Sequence, residues 1–358
     1  MQALPHRWPL FLVLALALIL LPLAMQAVGT GWVRILALAM LYVLLALGLN
    51  IVVGYAGLLD LGFVAFYAVG AYMYALMASP HLMETFALMA EHFPQGLHTS
   101  IWLVIPLDAL LDALAGALLG LPVLKLRGDY LAIVTLGFGE IIRVFLNNLE
   151  HPINITNGPR GLDRIDPMSI WGLPLSKPLM FGDLRIASVT LYYWLFLGLV
   201  IISVVVCYRL EHSRIGRAWM AIREDEVAAR AMGINTRNMK LLAFALGASF
   251  GGIAGAMFAA FQGFVSPESF SLMESIMIVA MVVLGGIGHL PGVILGAVML
   301  AALPEVLRYI AGDIQNLTGG RIDAAILRQL LIASAMIGIM LLRPQGLWPN
   351  PWIRRETR

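Results

Sequence analysis

The stretch Ile35–Val53, with the sequence ILALAMLYVLLALGLNIVV, contains no charged residue. About 20 apolar residues in a helix, at a rise of ~1.5 Å each, cross the ~30 Å hydrocarbon core of a bilayer. Similar stretches recur along the chain, in which 60% of the 358 residues are hydrophobic and 12% are charged. Because a soluble domain carries about twice that charged fraction, the sequence predicts an all-α integral membrane protein.

The apolar stretches predict about ten transmembrane helices in a single transmembrane domain over residues 1–358. Each stretch is close to the length that a spanning helix needs. The ten predicted spans are Pro9–Val28, Ile35–Val53, Leu61–Ala78, Ile101–Leu124, Tyr130–Leu146, Ser188–Tyr208, Leu241–Phe264, Leu272–Ile287, Val293–Ile310 and Ala324–Leu342. We interpret the first as a retained helix rather than a cleaved signal peptide, because it reaches spanning length.

The distribution of basic residues predicts the orientation of these spans. With an even number of spans, both termini lie on the same side, and Lys and Arg favour the cytoplasmic segments. Most Lys and Arg residues fall on the side of the termini, above all in the cytoplasmic segment over residues 209–240. Both termini are therefore predicted to be cytoplasmic. The stretch over residues 150–187 then becomes an outer, periplasmic loop, which its Pro, Gly, Asn and Asp residues predict to be irregular and exposed.

The segment between Ser213 and Gly233 is predicted to be one helix, with Ser213 as its N-cap and Gly233 as its C-terminal stop. Its apolar face would hold Ile215, Trp219, Ile222, Ala229 and Met232. Such a face can bind the membrane, the protein itself or a partner. The acidic run Glu224–Glu226 would be repelled by anionic headgroups. This favours docking to a protein, with a plain connector as the alternative.

Glycines interrupt two of the apolar stretches on the predicted cytoplasmic side. Gly54 and Gly57 follow the second span, next to Asn50, and Gly285 and Gly286 follow the eighth. Discontinuous helices expose backbone groups that can line a cavity. Elsewhere, Gly247, Gly251 and Gly255 recur every four residues and indicate close helix packing.

Ionisable residues within the predicted spans are candidates for functional or paired groups. Glu140 and Arg143, three residues apart, could form an intrahelical ion pair or line a pathway, and both interpretations stay open. Asp108 and Asp112 share one helix face and would suit a proton-coupled carrier. In an ATP-driven importer they would more simply face water or a subunit interface.

No metal site or nucleotide site is expected from the sequence. Cys207 is the only cysteine, and His81, His92 and His98 lack a metal-ligand spacing. The chain has no Gly-x-x-x-x-Gly-Lys-Ser/Thr phosphate loop. No nucleophile and base pair supports a membrane-embedded enzyme, so we expect no catalytic residue and no cofactor.

Five motifs together resemble a known family. They are LRGDYLAIVTLGFGEIIR at 126–143, GRAWMAIREDE at 216–226, QGFVSPESF at 262–270, VLGGIG at 283–288 and RPQGL at 343–347. In this order they resemble the M-type permease subunits of branched-chain amino-acid ABC importers (the LivM family). One departure is Val227, which intrudes where the general ABC-permease signature has Glu-Ala-Ala. The register of the ATPase contact is therefore open.

The resemblance implies a permease in the bacterial inner membrane that imports Leu, Ile or Val. The implied partners are a second homologous permease subunit, two ABC ATPase subunits, a periplasmic substrate-binding protein and the lipid bilayer, and no nucleic acid. ATP and Mg would be bound by the ATPase subunits. The alternatives are a urea or short-amide ABC permease and, from another class, a proton-coupled secondary transporter using Asp108, Asp112 and Glu140.

Three sets of site residues are expected on these grounds. The ATPase-coupling residues are Arg214, Gly216, Arg217, Ala221, Ile222, Arg223, Glu224, Asp225, Glu226, Ala228, Ala229 and Gly233. The translocation pathway would include Asn50, Gly54, Gly57, Glu140, Arg143, Gly285 and Gly286. Contact with the binding protein, or a gate, is expected at Asn157, Gly158 and Gly161.

Overall fold

The computed structural model describes most of the chain. The described residues are 8–86, 91, 97, 101–123, 126, 128–170, 173–181, 184–317, 326–327, 330, 333–334, 337–338, 341–342 and 346–348. Much of the predicted span Ala324–Leu342 lies outside them, as do His92 and His98.

The fold is mainly helical, as the sequence predicts. The helices are α1 Trp8–Val28, α2 Thr30–Leu49, α3 Val64–Ala78, α4 His81–Thr85, α5 Ile101–Val123, α6 Asp129–Asn148, α7 Ser188–Glu211, α8 Arg214–Glu224, α9 Glu226–Ala231, α10 Thr236–Gln262, α11 Leu272–Gly285 and α12 Leu290–Leu317. Among the described residues, five helical stretches are long and apolar enough to cross a membrane: Thr30–Tyr55, Trp102–Val123, Ser188–Glu211, Thr236–Gln262 and Leu290–Arg308. α1, α3 and α11 hold shorter apolar stretches.

The loop over residues 150–187 is more ordered than predicted and makes the chain not strictly all-α. It contains two antiparallel hairpins, β1 Ser169–Ile170 with β2 Leu173–Pro174 and β3 Leu179–Phe181 with β4 Leu184–Ile186. Its apolar Leu162 and Met168 are buried, so part of the loop packs on the helices instead of being fully exposed. Prolines disfavour helix here, and the extended segments pair with each other to satisfy their backbone groups.

The 24 residues of α7 join this loop to the segment over residues 209–240. A straight helix of that length spans about 36 Å, so the two segments lie at opposite ends of the helix bundle. We call the end with residues 209–240 the charged end and the end with residues 150–187 the loop end.

α10 lies at the centre of the bundle and contacts α2, α3 and α5. Its glycines permit that proximity: a Cβ added to Gly255 would overlap the carbonyl oxygen of Tyr67, and one added to Gly251 would lie 3.0 Å from Cβ of Phe66. The predicted close packing at these glycines is confirmed.

Asp108 and Asp112 of α5, which packs against α10, are fully buried. Asp112 lies against Gly252, so neither carboxylate faces water or an outer surface.

Candidate coupling and translocation site

Both predicted helix breaks are present at the charged end. α2 continues into a π-helical turn, Asn50–Tyr55, and residues 56–63 are not helical before α3 begins. α11 ends at Gly285 and α12 begins at Leu290. Gly57, Gly286 and Gly288 have φ values of +68°, +122° and +78°, a backbone region that glycine adopts readily and other residues rarely do.

The two breaks contact each other through a buried asparagine. Oδ1 of Asn50 accepts a hydrogen bond from the backbone N–H of Gly288 at 2.9 Å, and Asn50 is 0% exposed. A Cβ added to Gly54 would overlap the Asn50 amide and lie 2.9 Å from the nitrogen of Gly288. Gly54 is therefore required for the close approach of the two breaks.

The segment predicted as one helix is two helices, and that prediction is corrected. Ser213 caps α8 as predicted, since its Oγ accepts the N–H groups of Ile215 and Gly216 at 3.1 and 3.2 Å. Asp225 then leaves the helix and caps α9, accepting the N–H of Val227 at 2.7 Å. Short acidic side chains compete for backbone donors and favour such caps over helix interiors. The predicted stop at Gly233 is present, with φ +84°.

The apolar face of this segment packs on the protein itself. Trp219, Ile222 and Ala229 are buried, and Nε1 of Trp219 donates to the carbonyl of Met239 at 2.7 Å. Met232, predicted on the same face, is 83% exposed, because the break at Asp225 re-orients α9. The large apolar side chains that α8, α9 and the residue after α9 leave exposed are Met220, Val227 and Met232.

Arg223 links this segment to both breaks. Its Nη1 donates to the carbonyl oxygen of Gly54 at 2.5 Å. A Cβ added to Gly57 would lie 2.8 Å from Cγ of Arg223, and one added to Gly288 would lie 2.9 Å from Nη1. We call Asn50, Gly54, Gly57, Arg223 and Gly288 the coupling junction.

Glu226 forms ion pairs within the segment. Its carboxylate lies 2.8 Å from Nζ of Lys240, which is almost fully buried, and 3.0 Å from Nη2 of Arg230. The neighbouring Glu224 and Asp225 are exposed. An opposite charge is what makes burial of the Lys240 ammonium tolerable.

The predicted coupling residues thus divide into two groups. Those buried or bonded toward the protein interior are Gly216, Ile222, Arg223, Glu226 and Ala229. Those exposed are Arg214, Arg217, Glu224, Asp225, Ala228 and Gly233, and Ala221 is half-buried. Arg223 is also exposed, although its Nη1 donates to Gly54, so Arg223 and the second group are the residues free to meet a partner directly.

A cleft of about 390 Å³ opens beside the coupling junction at the charged end. It lies between residues 56–59, the start of α6 and the turn from α8 to α9, and is lined by Gly57, Leu131, Arg223 and Glu226 among others. Movement of α8 and α9 would therefore change the shape of this cleft.

Glu140 and Arg143 form the predicted intrahelical pair, with Nη2 of Arg143 2.9 Å from Oε2 of Glu140. Arg143 also lies 3.3 Å from Oε1 of Glu268, a contact that sequence reasoning missed. The sequence gives no signal for this contact, because Arg143 and Glu268 are 125 positions apart. The role of the pair in lining a pathway stays a prediction.

The predicted gate residues form a tight turn at the loop end. Asn157, Gly158 and Gly161 have φ values of +60°, +54° and +72°, and Nδ2 of Asn157 donates to the carbonyl of Gly161 at 2.9 Å. The next residue, Leu162, pairs with Val265, which places the turn close to Glu268. Contact with a binding protein stays a prediction.

The known proteins that this chain resembles include permeases of branched-chain amino acid transport systems. The family model "Branched-chain amino acid transport system / permease component" matches residues 31–342. The chain is 43% identical to the high-affinity branched-chain amino acid transport system permease protein LivM of Escherichia coli (strain K12), over 95% of this chain and 75% of that protein. It is 24% identical to LivM of Methanocaldococcus jannaschii over 86% of this chain and 90% of that protein. It is also 24% identical to LivH of Salmonella typhimurium over 72% of this chain and 79% of that protein. No solved structure is significantly similar.

Proposed function

The chain belongs to the family of branched-chain amino acid transport permeases, and from this premise we propose that it is the transmembrane permease subunit of an ABC importer for Leu, Ile or Val. The family match over residues 31–342 carries this conclusion. Identity of 43% to the Escherichia coli LivM permease supports the same substrate class. Nothing in the described residues favours urea, short amides or proton coupling over it.

The proposed setting is the bacterial inner membrane, with about ten spans and both termini in the cytoplasm. The five long apolar stretches and three shorter ones support a multi-pass arrangement. The concentration of Arg and Lys over residues 209–240 supports a cytoplasmic charged end. The loop end, with residues 150–187, would then be periplasmic.

The proposed partners are a second homologous permease, two ABC ATPases and a periplasmic binding protein. Similarity to both LivM and LivH, which are named as permeases of one kind of transport system, supports a second related permease. The chain carries no phosphate loop, so we assign ATP, Mg and the hydrolysis step to the ATPase subunits. The permease itself would bind no cofactor and catalyse no reaction.

In this proposal, the exposed side of α8 and α9 meets the ATPase and the coupling junction passes the movement on. Met220, Val227 and Met232 offer apolar contacts, and Glu224 is an exposed charge beside them. When this surface is pulled or pushed, Arg223 moves with it and displaces the carbonyl of Gly54, which it holds at 2.5 Å. Because Asn50 of the first break accepts a hydrogen bond from Gly288 of the second, both helix breaks move together. This movement can open or close the inner end of the pathway.

Uptake into proteoliposomes tests the function. The chain is co-purified with its second permease and ATPases, and labelled Leu, Ile, Val and urea are offered with the binding protein. We expect ATP-dependent uptake of the branched-chain amino acids. Uptake of urea alone, or uptake that needs a proton gradient but no ATP, would contradict the proposal.

Glu226→Lys is expected to uncouple the transporter. The substitution places a third cation beside Lys240 and Arg230, whose nitrogens now lie 2.8 and 3.0 Å from the carboxylate. Losing a buried ion pair by charge reversal costs about 3–5 kcal/mol, enough to detach α9 from α10. The expected result is normal insertion in the membrane with ATP-driven uptake lowered by at least about tenfold.

The matched control is the double variant Glu226→Lys with Lys240→Glu, which restores opposite charges. Partial recovery of uptake by the double variant would support the internal ion pair as the cause. If Glu226→Lys alone transports normally, the coupling role of this segment is wrong.

A further inference from the structure

The exposed surface of α6 carries both apolar and charged side chains. Ile133, Ile141 and Val144 are more than half exposed, as lipid-facing residues would be. Yet Glu140 and Arg143 lie on the edge of the same surface with side chains 33% and 27% exposed. Glu268, which contacts Arg143, is 68% exposed.

These charges make lipid an unfavourable neighbour for that edge. Arg143 is five residues, about 8 Å along the helix axis, from the end of α6 at Asn148. Charged side chains at membrane depth face a protein interior or a water-filled cavity because hydrocarbon cannot solvate them. Within this chain, however, the cluster of Glu140, Arg143 and Glu268 is not enclosed. The exposed part of the cluster therefore needs water or another protein beside it.

Gly137 supplies a second, independent observation. It lies one turn from both Ile133 and Ile141, in the middle of the exposed surface, and a Cβ added there would have no neighbour within 4 Å. A glycine inside a helix costs about 0.5–1 kcal/mol relative to alanine, and no contact within the described chain requires it. Membrane helices approach each other most closely at such small residues.

α7 has the exposed surface that a lipid-facing helix would have. Its exposed side chains include Ile201, Ile202 and Val205. The span Ser188–Glu211 has no charged residue before Arg209, near its end. Gly198 is exposed and also has open space around it, but no charged side chain of α7 lies nearby. α7 therefore provides the matched control for α6.

We propose that α6 packs, at Gly137 and Ile141, against the corresponding helix of the second permease subunit, with Glu140, Arg143 and Glu268 lining the pathway between them. This rests on the proposed function, and it names the surface at which the two permeases meet. Paired subunits of one fold use equivalent patches on each side of a two-fold axis. Similarity of this chain to both LivM and LivH supports a related helix on the partner.

Site-specific photo-crosslinking in the purified, assembled transporter tests the surface. p-Benzoylphenylalanine replaces Ile141 in one sample and Ile202 in the other, and the adducts are identified by mass spectrometry. We expect an adduct with the second permease from position 141 and none from position 202. Adducts with lipid only, or with a second copy of this chain, from position 141 would overturn the proposal.

A pair of glycine substitutions tests the close approach. Gly137→Phe and Gly198→Phe both enter open space in this chain, so both should fold and insert. We expect Gly137→Phe to lower co-purification of the second permease at least about tenfold and Gly198→Phe to leave it unchanged. Full retention of the second permease by Gly137→Phe would contradict the interface.

Failure of this proposal is distinguishable from failure of the proposed function. If the unaltered transporter imports Leu with ATP while position 141 reaches only lipid, the interface alone is wrong. If the unaltered chain neither retains a second permease nor supports uptake, the proposed function is wrong.

Discussion

Arg223→Ala should abolish most ATP-driven uptake while leaving the assembled transporter intact. The substitution removes the 2.5 Å hydrogen bond to the carbonyl of Gly54 and the side-chain contacts with Gly57 and Gly288. A hydrogen bond from a charged group contributes about 1.5–3 kcal/mol. Losing it lowers the equilibrium constant for contact between α8 and the breaks by about tenfold to a hundredfold. The ATPases would still hydrolyse ATP, but the movement would not reach the helix breaks.

The measurement is uptake per ATP hydrolysed in proteoliposomes. For Arg223→Ala we expect hydrolysis to continue and uptake to fall at least about tenfold. Arg223→Lys keeps the positive charge without the guanidinium plane, so uptake should fall less. The control is Arg237→Ala, at an exposed arginine near the start of α10. This variant should keep the unaltered uptake per ATP hydrolysed. If hydrolysis and uptake of Arg223→Ala fall in proportion, Arg223 acts on ATPase docking, and the proposed link is wrong.

Gly54→Val should lower uptake almost as strongly, because its side chain would occupy the space in which the two breaks contact each other. Its Cβ would overlap the Asn50 amide and lie 2.9 Å from the backbone nitrogen of Gly288. Either Asn50 gives up its 2.9 Å hydrogen bond to Gly288 or the breaks separate. Overpacking of a tight interior costs about 1–3 kcal/mol. We expect lower thermal stability and nearly complete loss of uptake.

Gly31→Val is the control for this substitution. Gly31 lies in α2 as well, but an added Cβ there would have no neighbour within 4 Å. Thermal unfolding in detergent and uptake in proteoliposomes should both stay near the unaltered values. Normal uptake by Gly54→Val would show that the contact between the breaks can be lost without consequence.

The local features of the coupling site were predictable from sequence. Gly57 and Gly286 lie at the two helix breaks, Ser213 precedes a helix and Gly233 follows one, as predicted, whereas Gly54 lies inside the π-helical turn. Each depends on backbone preferences that a few neighbouring residues fix. The ion pair of Glu140 and Arg143 was also predictable from local sequence, because a spacing of three residues on a helix brings two side chains together.

The long-range features could not be predicted in the same way. Nothing in the run GRAWMAIREDE indicates that Arg223 reaches Gly54, 169 positions away in the chain. The pairing of Glu226 with Lys240 and that of Arg143 with Glu268 likewise join separate elements. The break at Asp225 was missed because helix periodicity continued across it, and as a result Met232 was assigned to the wrong face.

The sequence by itself determined that this protein is a helical membrane protein, where its helices break, and to which family it belongs. Those properties follow from the length of apolar runs and from motifs that stay contiguous along the chain. Only the tertiary structure decided what these charged side chains contact across the chain: Arg223 the carbonyl of Gly54, Glu226 the ammonium of Lys240, and Arg143 the carboxylate of Glu268. The reason is physical, since the cost of a charge depends on what surrounds it, and its surroundings come from distant segments that only the folded helices bring together.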